Sequence, residues 1–253
     1  METKTKEIEK GFTFKEDGHK YFFDGKPLTG ITTILNVIAK PFLIQWAANM
    51  ATETIKRKWE MGKLYTQEEF DATLEEARLA HRKKKETAGE LGTDIHSQIE
   101  EIIKEAIKID GKIPPILKTL SKLPGNEQIN HFVNWAVENK VKFLDSEVRI
   151  YSKELFLGGT CDFVCEIEKE IWIGDIKTGN GIYPEHFFQT AGYQLLFEEM
   201  GLCPKIKGHL ILNLKKDGTF EEKRSVSIED NKEAFLSALK IYRVQEKINK
   251  VIK

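Results

Sequence analysis

The seven residues Ile171-Trp172-Ile173-Gly174-Asp175-Ile176-Lys177 form a short apolar run that stops at Thr178-Gly179-Asn180-Gly181. A run of this length, closed by glycines, predicts a buried strand entering a loop. Side chains alternate across a strand, so Asp175 and Lys177 leave one face while Ile176 leaves the other. A carboxylate and an ammonium are thereby carried side by side to the end of a buried element, where charge is costly unless it is paired or binds metal. Read alone, the two also fit an ordinary ion pair at a strand end, so their neighbours decide their meaning.

Upstream, Ser146 to Leu155 and Phe156 to Glu168 read as successive strands, with Leu157-Gly158-Gly159 as the turn between them. Asp162 falls early in the second. If that strand pairs antiparallel with residues 170–177 through a turn near Glu168-Lys169-Glu170, Asp162 comes nearly level with Asp175. Two converging carboxylates repel one another, and a divalent cation relieves the repulsion. Magnesium suits the place because it prefers oxygen ligands and keeps several waters. On its own, Asp162 reads as a solvated acid beside a turn.

Downstream, Pro184 opens a segment running to Glu199, with Gly201 just beyond, which is the pattern of a helix with proline in its first turn. Gln189 and Tyr193, four apart, share a face on which an amide and a phenol can contact phosphate oxygens or stack on a base. Taken alone, Tyr193 fits a half-buried neighbour of Phe197, and Gln189 a surface residue. Well before these, Leu91, Ile95, Ile99, Ile102 and Ala106 make an apolar stripe at helical spacing and predict an amphipathic helix over 88–108. His96 and Glu100 border that stripe one turn apart, a nitrogen and an oxygen able to reach a metal. In isolation His96 reads as a structural histidine.

In chain order the pieces are Gly92-Thr93-x-x-His96, Gly159-x-x-Asp162, Asp175-x-Lys177 and Gln189-x-x-x-Tyr193. The ordered set resembles the RecB/Cas4-like branch of the PD-(D/E)xK nuclease superfamily, with helicase-linked nuclease domains, Cas4 nucleases, phage recombination exonucleases and a mitochondrial single-strand exonuclease among its members. The match runs from about Gly92 to Tyr193. Residues Leu28 to Ala47 are similar in flavour to the phage-type members, although they carry no chemistry.

The resemblance implies a mixed α/β (α+β) fold, a restriction-endonuclease-like core with a central mixed sheet flanked by helices, preceded by an N-terminal helical region. It implies that His96, Asp162, Asp175 and the backbone carbonyl of Ile176 coordinate Mg2+ or Mn2+, one or two ions per site, with Glu100 binding directly or through water and Glu147 a weaker acidic candidate. Lys177 would orient or activate the attacking water and stabilise developing charge, while Gln189 and Tyr193 position the strand being cut. Thr178 and Arg82 are further nucleic-acid-binding candidates. The implied activity is metal-dependent DNA exonuclease action in recombination, repair or phage replication. The alternatives are a single-strand or structure-specific endonuclease, a non-catalytic DNA-end-binding module and, more distantly, a hydrolase of a small phosphoester. The implied partners are DNA with a free end and a recombination or annealing protein, with no membrane.

Composition is consistent with a soluble, cytoplasmic enzyme. The 253 residues are 40% hydrophobic and 31% charged, neither disordered nor membrane-like, and no apolar run approaches the roughly 20 residues of a spanning helix. The opening Met1 to Lys10 lacks the apolar stretch of a signal peptide and reads as a frayed terminus. A formal net charge of -1 gives no global support to nucleic-acid binding, so contact would depend on local tracks: Lys56-Arg57-Lys58, Arg82-Lys83-Lys84-Lys85, Lys205 with Lys207, and Lys215-Lys216. Each also fits a solvated face. Three cysteines without a Cys-x-x-Cys pair predict neither an iron-sulfur cluster nor a structural zinc. Cys161 and Cys165, about 13 Å apart on one strand, read as small buried hydrophobes.

Residues 1–87 are expected to form an N-terminal hairpin and helical region and 88–253 the core, within one elaborated domain. Phe12 to Phe14 and Lys20 to Phe23 predict a hairpin. Helices are expected over 41–60, 67–86, 88–108 and 126–143, with breaks at Ile113-Pro114-Pro115 and Leu123-Pro124-Gly125. Strands follow over Ile206 to Leu214 and Thr219 to Ile228. A last helix, with Phe235, Leu239 and Tyr242 on its packing face, begins after Glu229-Asp230-Asn231.

Overall fold

The computed structural model describes residues 5–113, 127–202 and 205–252. Contacts divide the chain into two compact units, Met1–Ile38 with Ile95–Lys253, and Ala39–Asp94.

The larger unit is mixed α/β, as expected, around one mixed sheet of nine described strands. A meander of β1 (Thr5–Glu9), β2 (Phe12–Lys15), β3 (Lys20–Phe23) and β4 (Lys26–Gly30) leads into a single helical turn, α1 (Ile31–Ile34). The remaining strands are β5 (Lys142–Ser152), β6 (Leu157–Ile167), β7 (Glu170–Lys177), β8 (Ile206–Leu214) and β9 (Phe220–Ser225). Their order is β1-β2-β3-β4-β6-β7-β8-β9, with β5 paired to β6. Because β5 lies along nearly the whole of β6, β4 and β7 must share its other edge. β4 runs parallel to the start of β6, at Thr29↔Leu157 and Gly30↔Gly158, and β7 runs antiparallel to its end, from Ile167↔Glu170 to Phe163↔Gly174. Two strands thus meet end to end along one edge, and the ladder lapses between them at residues 159–162.

The smaller unit consists of α2 (Phe42–Lys58) and residues 67–94 of α3 (Gln67–Lys108), whose remainder belongs to the larger unit. A reciprocal cap starts α3: Thr66 Oγ1 accepts the Glu69 amide at 3.2 Å, and Glu69 Oε2 accepts the Thr66 amide at 2.9 Å. Among the described residues no single helix is long and apolar enough to cross a membrane.

In the larger unit, one face of the sheet is covered by residues 95–108 of α3 and by α4 (Glu127–Glu138), which bring Ile99, Ile103 and Phe132 against Phe163, Cys165 and Leu212. The other is covered by α1, α5 (Pro184–Glu199) and α6 (Ile228–Asn249), which bring Ile31, Leu196 and Phe235 against Leu157 and Ile173. Each such side chain, fully buried, contributes roughly 1.5–3 kcal/mol.

Several expectations need correction. The turn between β5 and β6 falls at residues 153–156, and Gly158 and Gly159 lie inside β6. At Gly159 a Cβ would stand 2.8 Å from the Tyr193 ring, and at Gly158 2.6 Å from Tyr21, so close packing rather than turning requires these glycines. Helices expected over 67–86 and 88–108 are one 42-residue helix, since no proline interrupts them. The helix expected over 126–143 stops at Glu138, where Lys140 turns left-handed (φ 51°) and β5 begins at Lys142. Residues 5–9, expected to fray, pair with β2. The expected break at Pro114–Pro115, that at 123–125, Cys203, and the Leu91 side chain lie outside the described residues.

Candidate active site

The turn from β6 to β7 is made by Glu168 and Lys169, both left-handed (φ 53° and 67°), as a two-residue hairpin turn with matching twist requires. This tight turn fixes the register. One step past the last ladder pair, Phe163↔Gly174, Asp162 comes level with Asp175. On the other edge of β6, Glu147 stands between the pairs Ser146↔Phe163 and Val148↔Cys161, opposite Asp162. Three carboxylates therefore form one row across β5, β6 and β7.

The middle of that row is irregular. Leu157 and Cys161 pack with the α5 and α6 side, whereas Phe163, Cys165 and Ile167 pack with the α3 and α4 side, so the alternation of β6 slips at Asp162. Across from it, Glu147 has φ 51°. A non-glycine residue in that region stores on the order of 1 kcal/mol or more of strain and is held there by its surroundings.

One acidic oxygen each from Glu147 and Asp162 and a ring nitrogen of His96 lie within 4.8 Å of one another. His96 Nδ1 is 3.6 Å from Asp162 Oδ2, and the same oxygen accepts the Ile176 amide at 2.7 Å. Burial, with Asp162 and Glu100 nearby, raises the Glu147 carboxyl to about 7. Glu100 itself is ion-paired to Lys104, one turn along the helix.

Asp175 is only 1% exposed. Gln189 holds it: Nε2 donates to Asp175 Oδ1 at 3.0 Å and to Tyr193 Oη at 2.7 Å, and Oε1 accepts from Lys177 Nζ at 3.1 Å. An amide with an ammonium on one side and a carboxylate on the other has a single sensible orientation. Lys177 Nζ also stands 2.6 Å from Asp175 Oδ2. The distance is that of a close ion pair, which leaves the Asp175 carboxylate held on both sides, by Gln189 and by Lys177. Burial and the Asp162 charge push the Asp175 carboxyl up, against the pull of Lys177. Burial likewise holds the Tyr193 phenol well above its ordinary range, so it keeps its proton.

These observations fit a divalent cation. Ligand atoms of a small octahedral ion lie up to roughly 4 Å apart across the metal, close to the spread of the His96, Glu147 and Asp162 atoms. Asp175, level with Asp162 on the neighbouring strand, is a further carboxylate in the same row. Mixed imidazole and carboxylate ligation suits manganese as well as magnesium.

His96, Asp162, Asp175, Lys177, Gln189 and Tyr193 converge. Ile176 meets Asp162 through its amide, with its side chain on the opposite face, in the core. Gln189 and Tyr193 are buried, not a surface and half-buried pair. Thr178 is half-buried immediately past β7, and Arg82 is exposed on α3 in the smaller unit. Glu147, a weaker candidate in the sequence, stands with His96 and Asp162 in the one cluster of ligand atoms among the described residues. One residue was missed: His186, whose charge would favour ionised Asp175 and whose Nδ1 accepts the Tyr183 amide at 3.3 Å. Its spacing of three and seven from Gln189 and Tyr193 places it on the same helical face. Of the basic tracks, Lys207 pairs with Glu170 and Lys215 with Glu221. Cys161 and Cys165 are buried and free, with thiols raised by burial.

No protein-family profile matches the chain, and no curated protein does. Among solved structures it is similar to an alkaline exonuclease (LHK-Exo) from Laribacter hongkongensis, at 12% identity over 88% of this chain and 94% of that one, with a TM-score of 0.34. It is also similar to the structure of SSO0001, at 13% identity over 76% and 86%, with a TM-score of 0.30. Likeness at this distance carries no functional argument, and the site rests on its own geometry.

Proposed function

We propose that this protein is a magnesium- or manganese-dependent nuclease that hydrolyses phosphodiester bonds of DNA, acting as an exonuclease. The observation that carries the reading is the row Glu147, Asp162 and Asp175, with His96 against Glu147 and Asp162 and with Lys177, Gln189 and Tyr193 gathered on Asp175.

Glu147, Asp162 and His96 would hold the cation, with the Asp175 carboxylate beside them in the row. A bound divalent ion supplies charge neutralisation at phosphate and a lowered pKa for attacking water. The chain's own residues do the rest. Gln189 fixes the Asp175 carboxylate and the Lys177 ammonium at once, so both are placed before substrate arrives. Lys177 Nζ can donate to a non-bridging phosphate oxygen, where charge grows as the bond breaks. Tyr193 keeps its proton and stiffens Gln189. No covalent intermediate is required.

The test is digestion of end-labelled linear and covalently circular DNA with magnesium, manganese or chelator. Loss of linear but not circular substrate, only with metal, is the expected result. Cutting of circles would establish an endonuclease instead, and binding without cutting of either would establish a non-catalytic module.

A further inference from the structure

The loop joining α2 to α3 in the smaller unit presents an aromatic surface that the catalytic reading leaves unused. Trp59 is 53% exposed, while Met61 and Leu64 beside it are almost wholly exposed. Exposed apolar side chains are common singly, and a contiguous patch of them marks a contact site. The loop is also built rather than merely exposed. Tyr65 Oη donates to the Lys58 carbonyl at 3.0 Å and accepts the Glu60 amide at 2.7 Å. That clamp lays the Tyr65 ring against Trp59, with centroids 5.0 Å apart and planes 21° from parallel, and Phe70 meets the indole edge-on at 6.4 Å. One side of the indole is thereby supported by tyrosine.

Cations flank it along the chain. Lys56, Arg57 and Lys58 close α2, and Lys63 Nζ lies 5.1 Å from the centre of the Tyr65 ring. Between residues 56 and 64 the chain carries these four cations and one acid, Glu60. Arg57 and Lys58 share a single partner, Glu76.

We infer that this loop is a binding platform for single-stranded DNA, with a base stacked on Trp59 and the flanking phosphates met by Lys56, Arg57 and Lys63. Stacking requires an unpaired base, because a base within a duplex already has both faces covered. Supported indole rings among cations are the usual means of gripping such strands without reading sequence. A second copy of this chain would bring like charges together at the same patch, which disfavours self-association. The inference rests on the nucleic-acid reading of the protein but not on its catalytic residues.

The test uses the full chain with chelator present, so that nothing is cut, and oligo-deoxythymidine as the probe, read by tryptophan fluorescence and by anisotropy of a labelled strand. Wild type should be quenched on binding, and its affinity should fall with added salt. Trp59→Leu should bind roughly 10-fold more weakly and lose most of the quenching, Trp59→Phe should keep most of the affinity, and blunt duplex should bind all three alike. Equal affinity of Trp59→Leu and wild type for the oligonucleotide would overturn the inference. So would a patch whose substitution changes sedimentation but not strand binding, since that identifies a protein contact. Metal-dependent digestion by the wild type, run in parallel, separates the two claims: strand binding through Trp59 without any cutting would leave the platform standing and remove the nuclease.

Discussion

Glu147 stands opposite Asp162 across the β5–β6 ladder, in a left-handed conformation with φ 51°. On the proposed function, this placement makes Glu147 a metal ligand alongside His96 and Asp162. Glu147→Gln keeps the shape and removes the charge. It should weaken manganese binding by at least about 10-fold, the low end of what losing even an outer-shell partner costs, as read by calorimetric titration, with a far-ultraviolet circular dichroism spectrum like that of wild type. Unchanged affinity would assign the metal to the other carboxylates.

The same residue gives a pH signature in chelated protein. Its folded carboxyl is raised to about 7, above the ordinary carboxylate value, so the fold binds the proton more tightly than the unfolded chain does. The Glu147 contribution to stability should therefore fall as pH rises from about 4.5 to about 7 and level off beyond. Glu147→Gln should flatten that slope in urea titrations, and divalent metal should restore more stability at the alkaline end than at the acid end.

His209 acts in the opposite sense. It is fully buried, with Nε2 2.9 Å from Gln194 Oε1 and Nδ1 3.2 Å from Asn231 Nδ2, and burial lowers it to about 4. The unfolded chain takes up the proton near pH 6.5 and the fold does not until about 4, so the His209 contribution to stability should be lost as pH falls through that window, which Glu147→Gln isolates by removing the opposing slope. Proton resonances of the His209 ring that titrate near 6.5 in the folded protein would contradict this.

Much of this site is legible in the sequence because it depends on local rules. The period of two puts Asp175 and Lys177 on one face, and counting back from a two-residue turn puts Asp162 level with Asp175. Helical spacing pairs Gln189 with Tyr193. What escapes depends on contacts between distant segments. Gly158 and Gly159 read as a turn because glycine usually punctuates, yet they clear room for Tyr21 and Tyr193. The standing of Glu147 depends on a register that shifts between Phe143 and Asp145, which no local pattern reveals. The pairing of β4 with β6 likewise joins residues more than a hundred positions apart.

Gly159 supplies a test of positioning without touching a charged group. A Cβ there would press on the Tyr193 ring at 2.8 Å and on Ile31 at 3.1 Å. Gly159→Ala should cost about 1–3 kcal/mol of stability and, by displacing Tyr193 and with it Gln189, lower kcat more than it raises KM.

Gln189→Ala removes three hydrogen bonds at once and leaves Asp175 Oδ1 without its donor. A loss of about 1–3 kcal/mol is expected from chemical denaturation, with cleavage falling further than stability accounts for. Gln189→Glu should be worse, since it places a carboxylate against Asp175.

The most direct measurement is single-turnover digestion of an end-labelled linear DNA strand at saturating manganese, comparing wild type with Lys177→Ala and both with excess chelator. The wild type should shorten the strand only with metal, and Lys177→Ala should bind manganese and DNA yet leave the strand intact. Cutting by Lys177→Ala at the wild-type rate, or cutting by wild type in chelator, would contradict the account.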